Sequence, residues 1–141
     1  FGNNAFAEGI GEKLAAIELP AAWYIVIVPP VQVSTAEIFT SKELTRNTLP
    51  IKIPPFSVCQ GHNDLESVVC QRYPEVARCV QWLKQLEHTT IARMSGSGSC
   101  VFAEFATEAE AQIAFKQLPP DMKGFIAKGL DHHPLRDLMN E

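Results

Sequence analysis

Residues 89–105 read TTIARMSGSGSCVFAEF. TTIARM and CVFAEF are rich in β-branched and aromatic residues, and each reads as a strand. The five residues between them, Ser95 to Ser99, are only serine and glycine. Such a stretch breaks both helix and strand and reads as a turn. Two strands joined so closely make an antiparallel pair.

The flanks supply the rest of the fold. Downstream, Thr107 and Glu110 form a capping box at the head of TEAEAQIAFKQL, whose apolar residues at 111, 114, 115 and 118 have helical spacing. Two prolines end that helix, expected over 107–117, and GFIAKGL at 124–130 reads as a last strand. Upstream, Asn63 or Asp64 can cap a helix through LESVVCQRY, and Pro74 sits where a new helix would start. Val76, Cys79, Val80, Trp82, Leu83 and Leu86 give that second helix an apolar face. WYIVIV at 23–28 is apolar at every position and reads as a strand covered on both faces. STAE at 34–37 is another capping box, so a short helix is expected over 35–41. NNAFAEGIGEKLAAIEL reads as two short strands around Gly9 and Gly11. The Pro-rich stretch 41–61 reads as an exposed, loosely ordered connection.

Setting aside the opening pair, the order is β-α-β-β-α-β, with the helices at 64–86 joining the first crossover. That is the ferredoxin-like split βαβ pattern, an α+β sandwich with an antiparallel sheet and helices on one face. The chain of 141 residues is one domain. Apolar residues at 46% support a buried core. A net charge of −4 with no Lys/Arg cluster argues against nucleic-acid binding. The longest apolar run, AAWYIVIVPPV, is too short to span a membrane. FGNNAFAEGIGE has no basic segment of the signal-peptide kind. The chain does not open on Met, and Phe1 reads as a start inside a longer sequence. The cysteines at 59, 70, 79 and 100 form no C-x-x-C pair and read as reduced thiols of a cytosolic protein.

Four places carry chemistry that could matter. Gly96 and Gly98 permit positive φ, so the N–H groups of SGSGS could converge on an anion while Ser95, Ser97 and Ser99 add hydroxyls. No lysine follows as in a Walker loop, and a plain hairpin turn fits the same residues. His62, Asn63, Asp64 and Glu66 could bind a metal or move protons, or simply cap a helix and fill its acidic first turn. Asp131, His132 and His133 could ligate a metal, yet adjacent histidines diverge and an exposed loop explains them as well. Phe39 and Thr35 lie one helical turn apart, where an aromatic ring and a hydroxyl can hold a ring and a polar group; core packing is the other reading of Phe39.

These segments, in this order, closely resemble the C-terminal half of the bacterial 4-diphosphocytidyl-2-C-methyl-D-erythritol kinases, of the GHMP kinase superfamily. The stretches that match are NNAFAEGIGE, WYIVIVPPVQVSTAEIFTSKELTRNT, HNDLE with YPEV, ARMSGSGSCVFAEF and GFIAKGL. The resemblance implies a GHMP kinase C-terminal domain over residues 1–141, with a ferredoxin-like core. It implies an enzyme that phosphorylates the substrate's 2-hydroxyl with ATP and Mg2+, in the cytoplasm, on the non-mevalonate route to isoprenoids. By the same likeness Phe39 would stack on cytosine and Thr35 would hydrogen-bond the methylerythritol portion. Ile10 would line the same pocket, and Ser95, Gly96, Ser97, Gly98 and Ser99 would form the phosphate-side loop. The family's ATP loop, conserved Lys and catalytic Asp correspond to sequence ahead of Phe1. The resemblance therefore implies that the chain alone is inactive, binds no cofactor, and self-associates through a face meant for the N-terminal domain. The reading from another class is a free-standing ferredoxin-like binding or regulatory module without catalysis.

Overall fold

The computed structural model describes residues 2–49 and 61–135. Cys59, the Pro-rich 50–56 stretch and residues 136–141 lie outside that range. The elements run β1 (Ala5–Glu8), β2 (Lys13–Ala16), β3 (Trp23–Ile27), α1 (Thr35–Thr40), α2 (Glu66–Arg72), α3 (Pro74–Lys84), β4 (Ile91–Met94), β5 (Val101–Phe105), α4 (Glu108–Phe115) and β6 (Gly124–Lys128). Strands β3 to β6 form one sheet in the order β4-β5-β3-β6, with every neighbouring pair antiparallel. That is the strand order of the split βαβ fold read from the sequence. The antiparallel β1–β2 hairpin is a separate two-stranded sheet.

Local chemistry sets the helix boundaries. The Thr107 hydroxyl accepts the Glu110 N–H at 3.2 Å while the Glu110 carboxylate accepts the Thr107 N–H at 3.1 Å. Both first-turn donors are thereby satisfied, and α4 begins at the next residue. Pro74 opens α3 because its missing N–H would be unpaired there in any case. It also separates α3 from α2, whose last residue is Arg72.

The register puts Ile25, Ala103, Ala92 and Ile126 on one face, beside Ile27, Val101 and Met94. Helices α3 and α4 pack against this face. Val76, Cys79, Val80 and Leu83 from α3, and Ala111 and Ala114 from α4, are buried with it. Each fully buried large apolar side chain contributes about 1.5–3 kcal/mol, so this layer dominates stability. The β1–β2 hairpin has no buried residue and adds little of that kind.

Two sequence expectations need correction. β3 is not covered on both faces: Ile25 and Ile27 are buried under the helices, while Tyr24 and Val26 are only half-buried. On their side the hairpin leaves a groove of about 570 Å³ lined by Phe6, Ile17, Tyr24, Val26, Phe102 and Ala127, among others. An apolar strand reads the same from sequence whether its second face is closed or open. The stretch after α1 is also not wholly exposed, because Ser41 and Leu44 are buried. Leu44 packs into the main core, and Ser41 accepts a hydrogen bond from Arg72 at 2.9 Å.

Candidate functional site: helix α1 and the serine–glycine loop

Helix α1 has six residues, too few to be stable by itself, so its neighbours must hold it. At its start the Ser34 hydroxyl accepts the Glu37 N–H at 3.4 Å. In its middle Ile38 is fully buried. At its end Arg46 donates to the Phe39 carbonyl and, at 3.3 Å, to the Ser41 carbonyl, placing a cation where unpaired helix carbonyls gather. With Ile38 turned inward, Phe39 turns outward and is 51% exposed. Core packing of Phe39, open in the sequence, does not occur.

The loop Ser95–Ser99 closes the β4–β5 hairpin. The Ser95 N–H donates to the Cys100 carbonyl at 2.9 Å, and the Gly98 N–H donates to the Ser95 carbonyl at 3.0 Å. Gly96 and Gly98 have φ of 53° and 89°, the region that glycine enters without penalty. The loop lies against the start of α1: Thr35 Oγ1 and Ser97 Oγ share a hydrogen bond of 2.8 Å. Two sequence candidates 62 residues apart therefore meet. The pair brings the Thr35 and Ser97 hydroxyls together, with the exposed Phe39 ring one helical turn from Thr35.

Ile10 does not join them. It sits at the tip of the β1–β2 turn, 99% exposed, with its N–H donating to Glu12 Oε2 at 2.7 Å. Its side chain thus has almost no contact with the rest of the chain.

The other candidates resolve into structural parts. His62 Nε2 and Asp64 Oδ1 are 2.8 Å apart, and Thr48 donates to the same carboxylate oxygen at 3.0 Å. Asn63 Oδ1 accepts the Leu65 N–H at 3.0 Å, so Asn63, rather than Asp64, turns the chain into α2. His132 forms a bridge with Asn3, and the His133 N–H donates to the Gly2 carbonyl at 2.7 Å, tying this segment to the chain's beginning. Among the described residues no cluster of three His, Cys, Asp or Glu is placed to hold a metal. Cys70, Cys79 and Cys100 are free thiols. Burial pushes the Cys70 and Cys79 thiols up.

Two features were not read from the sequence. Asn63 Nδ2 donates to the Met94 and Gly96 carbonyls, at 3.0 and 2.7 Å, which joins the start of α2 to the loop. Spacing cannot show where a turn asparagine sends its amide hydrogens. On the helix-free face of the sheet, Tyr24 and Thr90 donate to the two carboxylate oxygens of the buried Glu104 at 3.1 and 3.0 Å. Burial first, and then the Glu104 charge, push the Tyr24 phenol up to about 12.

Residues 58–123 match the family described as GHMP kinases C terminal. The chain is 65% identical over 141 residues to the 4-diphosphocytidyl-2-C-methyl-D-erythritol kinase of Nitrosospira multiformis, covering all of this chain and 48% of that protein. It is 58% identical over 141 residues to the enzyme of the same name from Thiobacillus denitrificans, covering 50% of it. The chain thus spans about half the length of the curated relatives it matches. A crystal structure of 4-(cytidine 5'-diphospho)-2C-methyl-D-erythritol kinase superposes with a TM-score of 0.67 at 24% identity, over 88% of this chain and 48% of that one. At that identity the superposition shows a shared fold. The four-stranded sheet and its helix layer are therefore the fold shared with that structure, and residues 58–123 match the C-terminal domain of the GHMP kinases.

Proposed function

We propose that this chain is the substrate-side half of an ATP-dependent kinase that phosphorylates the 2-hydroxyl of 4-diphosphocytidyl-2-C-methyl-D-erythritol. The observation that carries the reading is the hydrogen bond between Thr35 and Ser97, which joins α1 to the serine–glycine loop. In this reading Phe39 stacks on the cytosine ring and Thr35 binds the methylerythritol portion. The loop from Ser95 to Ser99 lies on the phosphate side, and Ile10 lines the same pocket. Phosphoryl transfer relies on positioning and on charge stabilisation around the transferred group. The loop supplies neutral donors for that purpose. The proton acceptor and the ATP cradle come from the half of the relatives that this chain does not span. In this reading Mg2+ accompanies the nucleotide phosphates. The setting is the bacterial cytoplasm, on the non-mevalonate route to isoprenoids.

Ile10, Leu14 and Phe39 are exposed apolar residues on this chain. In the whole protein the second half covers part of this surface; separated from it, the chain self-associates.

The test is phosphate transfer from labelled ATP. The complete polypeptide containing this chain is expected to label the substrate, and residues 1–141 alone to give no label above background. Binding of the cytidyl compound without turnover by the complete polypeptide would favour a non-catalytic module and sink the kinase reading.

A further inference from the structure

Asn63 does more than the turn into α2 needs. That turn requires only an acceptor, and Oδ1 provides it for the Leu65 N–H at 3.0 Å. Nδ2 adds two donor bonds, to the Met94 carbonyl at 3.0 Å and the Gly96 carbonyl at 2.7 Å. Those carbonyls flank Ser95, where the strand becomes the loop. Three residues on, Glu66 Oε2 accepts the Met94 N–H at 2.8 Å, and Lys84 holds the other Glu66 oxygen at 2.9 Å. The Met94 backbone is thus gripped on its N–H by Glu66 and on its carbonyl by Asn63. Only an amide offers two donors and an acceptor at this reach. Aspartate has the acceptor alone, serine is shorter with a single hydrogen, and glutamine is a methylene longer.

We infer that Asn63 is a positioning residue: it sets the height and orientation of the Ser95–Ser99 loop against Thr35, and so the placement of the transferred phosphate. It touches no reacting atom and acts through the loop. The inference rests on the kinase reading above, because it assigns the loop to the phosphate side. Misplacing a reacting group by about 1 Å can cost roughly 100-fold in rate, so the effect belongs in kcat.

The experiment uses the complete polypeptide with Asn63→Asp and Asn63→Ser. Both variants keep an oxygen for the Leu65 N–H and remove the two donor bonds. Amide hydrogen exchange is read at Gly96, Ser97 and Ser99 and across α2, and kcat and KM are read with 4-diphosphocytidyl-2-C-methyl-D-erythritol. Loop exchange is expected to quicken by about tenfold or more while α2 stays within about threefold. The kcat is expected to fall by about tenfold or more, with KM within about threefold. Asn63→Asp should be the worse variant, since its carboxylate faces two carbonyl oxygens.

Loop exchange and kcat both near wild type would overturn the inference. So would a loosened loop with unchanged kcat, or exchange that quickens uniformly over α2 and the sheet. If one variant fails to fold, the other decides. If both unfold, Asn63 is a stability residue and the inference falls. A wild-type protein with no phosphate transfer sinks the kinase reading separately, and with it the assignment to phosphate placement, while the exchange data still decide whether Asn63 holds the loop.

Discussion

Phe39→Ala is expected to raise the KM for the cytidyl substrate by roughly 5- to 150-fold, since stacking a base on an aromatic side chain is worth about 1–3 kcal/mol. The ring is free to stack because it is 51% exposed, while its neighbour Ile38 is fully buried and fixes the helix beneath it. The same geometry keeps the substitution from harming the fold. Surface changes of this kind stay within about 0.5 kcal/mol of stability. The Arg46 bond to the Phe39 carbonyl is a backbone contact and survives the loss of the ring. Steady-state kinetics and a thermal melt on the same preparation check both halves. A KM within twofold of wild type at unchanged stability would remove Phe39 from the substrate site.

Gly98→Ala is expected to destabilise by about 2–4 kcal/mol and to abolish most activity, while Gly96→Ala costs about 1–2 kcal/mol. Both residues have positive φ, 89° and 53° respectively, so both substitutions strain the backbone. The difference lies in the space around them. A Cβ on Gly96 would meet nothing within 4 Å. On Gly98 it would lie 2.9 Å from Met94 Sδ, 3.4 Å from Val33 Cγ2 and 3.6 Å from Val69 Cγ1. Met94 and Val69 are buried and have little room to yield. Relief would move the loop away from Thr35 and break the contact with Ser97. Urea melts of the two variants measure the gap; equal stabilities would show that the loop is not seated as described.

Much of this architecture was legible because its signals are local. Capping residues at Ser34 and Thr107, Pro74 at a helix start and the apolar period of α3 all lie within one turn of what they specify. The SGSGS turn between two strand-like runs marked the β4–β5 hairpin for the same reason. The site was legible only in pieces. Thr35 and the loop could each be named, but their meeting depends on the packing of α1 beside a hairpin 62 residues away. The second role of Asn63 depends on carbonyls 31 and 33 residues on. Ser41 and Leu44 were misjudged because a Pro-rich neighbourhood reads as exposed, whereas Leu44 is drawn into the core and Ser41 is bonded to Arg72. Ile10 remains the least anchored of the candidates, since nothing in the chain fixes its side chain.

The central claim is that α1 and the serine–glycine loop form one substrate-binding surface. Amide chemical-shift mapping of the labelled complete polypeptide, titrated with 4-diphosphocytidyl-2-C-methyl-D-erythritol in the absence of ATP, tests it most directly. The account predicts saturable shifts at Thr35, Phe39, Gly96 to Ser99 and Ile10. Shifts confined to the opposite end of the sheet, around Ile91, Phe105 and Lys128, or no saturable shifts at all, would contradict it.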